Sequence, residues 1–258
     1  MLILLPPSET KRPGGSGGPL TLDTLSFPAL SPQREQALHA LAELARDGDE
    51  MARVLKLSAR QLGEIDVNRH VVNSPTMPAM DRFTGVLYDA LDASSLDPQA
   101  RDWLGEHVVI QTALLGPVGA ADLIPAFRLS AGNKLPGLAP LKKHWADASS
   151  VALIGQGPVL DMRSEAYRAL APVPAGEEHG YVRVVNGEGR ALNHFNKQSK
   201  GVFARALALS GERFDGLDDL IDWACARGFD LVRDDTSGEL VLGEVSSMPE
   251  MKSSRAAG

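Results

Sequence analysis

Asn193-His194-Phe195-Asn196-Lys197-Gln198-Ser199-Lys200-Gly201 is the densest polar segment of this chain, with amides, an imidazole, two amines and a hydroxyl in nine residues. The pattern predicts a crossing from a strand into a helix, whose free backbone N–H groups would add to the positive charge. Lys197 and Lys200, three apart, are expected to share one helix face, with Arg205 farther round. A second group, Asp161-Met162-Arg163-Ser164-Glu165-Ala166-Tyr167, puts two carboxylates, a guanidinium, a hydroxyl and a phenol into one short stretch. If these groups form an enzyme site, Arg163 and Lys200 would hold an anion. Glu165 or His194 would be the general acid/base, and Ser8, Glu9, Tyr167 and Asn193 would orient the substrate. The alternative is that Arg163 and Glu165 are surface charges and Tyr167 packs on the core.

Ser8-Glu9-Thr10-Lys11 has the S-x-x-K spacing that lets a lysine activate a serine in some acyl-transfer enzymes. Here it follows an apolar run and precedes a glycine-rich stretch, without companion motifs. It reads better as polar groups at the carboxyl end of a strand, where open sheets often hold ligands.

Two stretches contain no Asp or Glu: Leu123 to Ala146, with Arg128, Lys134, Lys142, Lys143 and His144, and Gly189 to Gly211, with Arg190, His194, Lys197, Lys200 and Arg205. The whole chain carries a net charge of -7, so charge is segregated. If the two stretches meet, they make a positive cleft on an acidic body, suited to phosphates or another anion. The opposite reading is two solvated faces. The candidate anion-binding residues are Arg128, Lys142, Lys143, Arg163, Ser164, Asn193, Asn196, Lys197, Lys200 and Arg205.

Other chemistries are disfavoured. The six histidines form no H-x-x-x-H pair and no Cys/His cluster has metal spacing, so neither a metal nor a cofactor is expected. Gly18 is followed by Pro19-Leu20, not by the G-K-[ST] of a phosphate-binding loop. Aromatic residues make up 5%, too few for a base-stacking surface. No apolar run approaches the roughly 18 residues that span a bilayer, and Met1-Leu2-Ile3-Leu4-Leu5 has no basic segment before it. With Cys225 as the sole cysteine, read as a small core residue, a reducing, cytoplasmic location and a monomer are expected.

The elements that must position these groups follow from periodicity. Residues 1–5 read as a buried strand, followed by a flexible loop over 8–20. A helix should open at Ser31-Pro32 and bury Ala37, Leu38, Leu41, Leu44 and Ala45. Short helices are expected at 49–57 and 58–64, and an Asp97-capped helix over about 98–106. A strand follows at 107–110, a helix over 138–148, a strand at 151–154 and a short helix at 163–170. Residues 181–185 and 191–195 flank Asn186-Gly187-Glu188-Gly189 as a hairpin would. Helices at 197–209 and 217–227 precede strands at 229–233 and 240–245, and 253–258 should fray. The result is one mixed α/β (α+β) domain over 1–252. The two helices around Ser210-Gly211 are compatible with a helix-hairpin-helix, although Asp215, Asp218, Asp219 and Asp222 would repel phosphates there.

Taken in order, these segments resemble the YaaA peroxide-stress family. The resemblance rests on Met1 to Glu9, Thr84-Gly85-Val86-Leu87-Tyr88, Leu114-Leu115-Gly116-Pro117 with Asp122, and Ile124 to Leu129. Leu135-Pro136, Trp145, Asp161 to Tyr167 and Asn193 to Gly201 complete it. It implies a single domain of the so-called cantaloupe fold, a positive cleft and a helix-hairpin-helix-like element. It also implies binding of double-stranded or branched DNA and a role in keeping intracellular free iron low under peroxide stress. On that pattern Arg128, Arg163, Lys197, Lys200 and Arg205 lie in or near the cleft. An enzyme acting on a small anionic, nucleotide- or nucleoside-like substrate is the alternative function, with Glu165, His194, Lys197, Ser8 and Tyr167 as its catalytic candidates.

Overall fold

Leu2–Leu5 is apolar at every position and buried at every position, which only a strand covered on both faces can satisfy. In the computed structural model, which describes residues 1–186, 188 and 193–249 (side chains from Phe195 in the last stretch), this strand lies inside the sheet with a parallel neighbour on each side. The strands are β1 (Leu2–Leu5), β2 (Met77–Pro78), β3 (Val108–Gln111), β4 (Pro117–Gly119), β5 (Leu123–Ile124), β6 (Val159–Asp161), β7 (His179–Val185), β8 (Leu231–Arg233) and β9 (Leu240–Gly243). The helices are α1 (Ser31–Leu44), α2 (Gly48–Leu55), α3 (Glu64–Arg69), α4 (Ala79–Arg82), α5 (Val86–Leu91), α6 (Pro98–His107), α7 (Leu141–Ala152), α8 (Glu165–Arg168), α9 (Asn193–Ser210) and α10 (Leu217–Ala226).

The main sheet runs β4-β3-β1-β6-β7-β9-β8. Its five inner strands are parallel and its two edges antiparallel. From β1 the chain moves to one side, to β3 and β4, and then crosses back to build β6 to β9 on the other. The connections leaving β1 and β6 therefore diverge, and open sheets carry their ligand crevice outside the carboxyl ends of such a strand pair. β2 and β5 pair separately.

Alternation along β1 divides the core. Ile3 and Leu5 enter the large cluster shared with α1, α5, α6, α9 and α10, whereas Leu2 and Leu4 meet Val109, Leu153, Val159 and Ala171 on the opposite face. α9 closes against α5 at Gly201, where an added Cβ would run into the Leu87 carbonyl oxygen. Phe203 lies 5.0 Å from Phe229 and 6.1 Å from Trp223, which locks α9 to α10 through aromatic edges.

The mixed α/β class and the single domain are as expected. So are β1, the Asp97 cap, whose carboxylate accepts from Ala100 N at 2.8 Å, and the closing strands β8 and β9. The expected strand at 151–154 is instead the end of α7 and the turn beyond it, with Val151 and Ile154 66% and 57% exposed. Its apolar, strand-like composition yields because the helix that begins at Leu141 already buries Trp145 and Ser149 on its inward face. The strand that joins the sheet is β6.

The expected hairpin is absent, because β7 pairs in parallel with β6 and β9, and Asn193–Phe195 already belong to α9. Ala191 and Leu192 of that expectation lie outside the described residues. The helix expected over 58–64 divides into a single 3-10 turn at Ala59–Gln61 and α3. Cys225 is exposed on α10 and is no core residue. The stretch read as a flexible loop has neither helix nor strand and is tied down at several points. Arg82 donates to the Arg12 carbonyl oxygen and Gly17 N donates to Thr76 O at 2.9 Å.

Candidate functional site

The loop leaving β1 carries the first polar group. Glu9 accepts from Arg128 Nη2 at 2.7 Å and from Ser130 Oγ at 3.2 Å. Burial pushes the Glu9 carboxyl up, but the bonds from Arg128 and Ser130 outweigh it and hold it below its ordinary value. Arg128 is placed by its own backbone, whose N–H and C=O both bond the buried amide of Asn68, at 2.7 and 2.8 Å. Lys11 puts its amine 4.4 Å from the Phe127 ring centroid and 5.2 Å from that of Phe83, while donating to Ser8 O at 3.1 Å. Burial drives that amine down to about 7, and the two ring faces favour its charged form. Ser8 Oγ lies 3.2 Å from Thr10 Oγ1, so no Ser8–Lys11 nucleophile pair exists here.

The loop leaving β6 carries the second group. Asp161 is 2% exposed and Arg163 fully buried. Arg163 donates to both Asp161 oxygens, at 2.8 and 2.7 Å, and to Ala171 O at 2.8 Å. Arg163 is thus anchored inside the protein by this pair, which Arg168 also approaches at 3.7 Å from Asp161. Ser164 is exposed and begins α8 without a capping bond from its side chain. α8 separates the two polar groups. Tyr167 turns toward Glu9 and Arg128 and bonds the Ala131 backbone, and burial raises its phenol to about 12. Glu165 and Arg168 turn the other way and pair at 3.1 Å.

The third contribution comes from α9. Ser199 is buried and bridges to Val245, accepting from its N–H at 3.0 Å and donating to its carbonyl at 3.1 Å. That bond anchors the start of α9 to the chain leaving β9. Lys197 is exposed, but Lys200 is only 4% exposed, so the two lysines do not share a face toward solvent. Lys200 has its amine 5.5 Å from the Tyr181 ring centroid, and Arg168 stacks its guanidinium 3.9 Å from the same centroid. Among the described residues the Lys200 amine has no hydrogen-bond acceptor. Burial lowers it to about 8 against the raising influence of Asp161, with Arg168 adding to the fall and Glu165 opposing it. One turn earlier, Asn196 Oδ1 is buried and also without a partner. The side chains of Asn193 and His194 lie outside the description.

Tyr181 and Arg168 were not among the expected site residues. Tyr181 sits opposite Asp161 in the β6–β7 register and alternates with the core residues Val182 and Val184, a placement that only the parallel pairing reveals. Burial raises its phenol, as does its contact with Glu165. A cavity of about 320 Å³ is lined by Asp161, Arg163, Glu165, Arg168 and His179 among others, with Lys200 and Tyr181 outside its lining. A larger apolar hollow of about 420 Å³, between Leu20, Leu22, Leu38 and His39, lies away from all of this chemistry.

The remaining expected cations do not join. Arg205 donates to Leu91 O, Asp92 O and Ser95 Oγ at 2.8 to 2.9 Å, bracing the carboxyl end of α5. Lys142 and Lys143 stand exposed on α7. Among the described residues there is no cluster of three His, Cys, Asp or Glu able to hold a metal, and no helix long and apolar enough to cross a membrane.

This set of groups at the ends of β1, β6 and β7 can be placed among known proteins. Residues 1–234 match the family described as "Peroxide stress protein YaaA". The chain belongs to the YaaA peroxide stress protein family. It is 43% identical over 237 residues to a UPF0246 protein of Corynebacterium glutamicum, covering 88% of this chain and 93% of that one. A UPF0246 protein of Streptomyces coelicolor is 41% identical over 230 residues, 86% of this chain and 88% of its own length. An uncharacterized protein of Campylobacter jejuni is 28% identical over 206 residues, 78% and 82% of the two chains. The matched span contains both the S-E-T-K loop after β1 and the Asn193–Gly201 segment that supplies Lys200.

Proposed function

We propose that this YaaA-family chain is an enzyme acting on a small anionic substrate, nucleotide- or nucleoside-like in size, held outside the carboxyl ends of β1 and β6. Lys200 carries this reading. Among the described residues its amine has no acceptor, which leaves it open to a ligand, and the three charged groups that act on it, Asp161, Glu165 and Arg168, line a cavity of small-molecule size. Arg163, which also lines the cavity, is held by Asp161 and Ala171 through three of its N–H groups. Arg168, one-third exposed at the cavity, pairs with exposed Glu165 and is the cation placed to exchange that pair for a ligand's charge. Glu165, between Arg168 and Tyr181, is the general acid/base. Differential scanning fluorimetry with nucleoside mono- and diphosphates tests this. A rise in unfolding temperature that Arg168→Ala removes supports it, and no rise with any of them overturns it.

DNA binding is the second reading. It rests on Lys142, Lys143 and Lys197, which are exposed and have no ion pair among the described residues, and which would contact phosphates without reading sequence. Limitation of free iron under peroxide stress belongs to the same family expectation. Anisotropy of labelled duplex and four-way-junction DNA across roughly 50 to 200 mM salt distinguishes the readings. Steeply salt-dependent, junction-preferring binding that is lost on Lys197→Ala would favour DNA.

A further inference from the structure

Lys200 and Asn196 present an unusual combination on one face of α9. Four residues apart, they are neighbours on the helix surface. Lys200, 4% exposed, has an amine without an acceptor among the described residues, and Asn196 has a buried carbonyl oxygen without a donor. A phosphate or carboxylate would satisfy the amine but would face Asn196 Oδ1, an oxygen that can only accept. A neutral carbonyl group suits both, because its addition product with an amine carries O–H and N–H donors. We propose that Lys200 forms an imine with the aldehyde or ketone group of a small anionic substrate, which makes it the covalent residue of the site proposed above. The inference rests on that site and names its reacting group.

The chemistry balances within the residues present. The Lys200 nitrogen lone pair attacks the carbonyl carbon, forming the C–N bond as the C–O π pair moves onto oxygen. Asn196 Oδ1 accepts from the resulting hydroxyl. Glu165 relays protons from nitrogen to oxygen, and the hydroxyl leaves as water. Both amine protons end in that water, and a neutral C=N remains. Three features favour this step. The Tyr181 ring stands 5.5 Å from the amine, and the Lys200 side chain as a whole is buried. The charged groups facing it are Asp161, Glu165 and Arg168, and of the two carboxylates Asp161 is taken by Arg163, so neither forms an ion pair with the amine. With its amine lowered to about 8, Lys200 holds on the order of a hundredfold more free base at pH 7.5 than an ordinary exposed lysine.

The test is reductive trapping on the full chain. The protein is incubated at pH 7.5 with pyridoxal 5′-phosphate as the probe aldehyde, reduced with borohydride, and mapped by peptide mass spectrometry. Exposed Lys197, on the same helix, serves as the internal reference. Lys200 should be modified at least tenfold faster than Lys197, and Glu165→Gln should slow labelling of Lys200 without changing that of Lys197. Equal or slower labelling of Lys200 in the unmutated protein overturns the imine, with no variant required to fold. If Lys200 stays unlabelled while nucleoside phosphates still raise the unfolding temperature in an Arg168-dependent way, the binding site stands and only the imine fails. If neither is seen, both fail.

Discussion

The end of β6 and the first turns of α9 each bury a cation at the same edge of the sheet, and they treat it in opposite ways. Arg163 is given a bidentate carboxylate and a backbone carbonyl, so each of its bonding nitrogens is used inside the protein. Lys200 is given an aromatic ring and an unpartnered amide neighbour, and no acceptor. Arg82, also fully buried, resembles Arg163, because carbonyls of Ile124, Arg12 and Pro75 hold it. Hydrogen-bonding completeness, more than charge or burial, therefore separates Arg163 and Arg82 from Lys200.

The comparison is most severely tested at Arg163. Arg163→Ala leaves Asp161 buried and unpaired, which should cost about 3–5 kcal/mol in chemical denaturation. A loss under about 1 kcal/mol would mean that the pair is not the structural anchor described here.

Lys200→Met should behave in the opposite sense. With the folded amine at about 8 and the unfolded one at its ordinary 10.5, the unfolded chain binds more protons between those values. The burial penalty is then full below pH 8, and stability rises as pH climbs from 8 toward 10.5, by up to about 3 kcal/mol. Lys200→Met should remove this contribution. The difference between the two unfolding profiles across that window isolates Lys200 from Lys11, which moves in the same direction. A flat difference profile, or a large loss of stability at pH 7, would make Lys200 a structural cation like Arg163.

Gly201→Ala sharpens the placement of Lys200 itself. The added Cβ meets the Leu87 carbonyl, so α9 must move away from α5 at the residue next to Lys200, at a cost of about 1–3 kcal/mol. Measured by thermal unfolding, a neutral result would show that α9 can shift without consequence. The smallest effect is expected at Glu9. Its carboxylate is 61% exposed although Arg128 is not, so Glu9→Gln should change stability by less than about 1 kcal/mol, and less again at high salt.

Part of this arrangement was legible in the chain. The polar segments that matter, Ser8–Lys11, Asp161–Tyr167 and Asn193–Gly201, stood out by composition, and all three reach the carboxyl edge of the sheet. Their side-chain roles did not. Arg163 read as a ligand cation because Asp161, two residues before it, gave no sign of folding back onto it. Lys197 and Lys200 read as a pair because a three-residue spacing brings two residues near one another without saying which of them faces inward.

Local periodicity, capping and composition determined most of the longer helices, the buried first strand and the mixed class, because each depends on residues within one or two turns of one another. Strand pairing, and with it the placement of Tyr181 opposite Asp161, was decided only in three dimensions. So was the turning of Lys200 inward when Gly201 let α9 close on α5. Burial and the capture of each buried cation depend on residues dozens of positions away, whose approach no local spacing encodes.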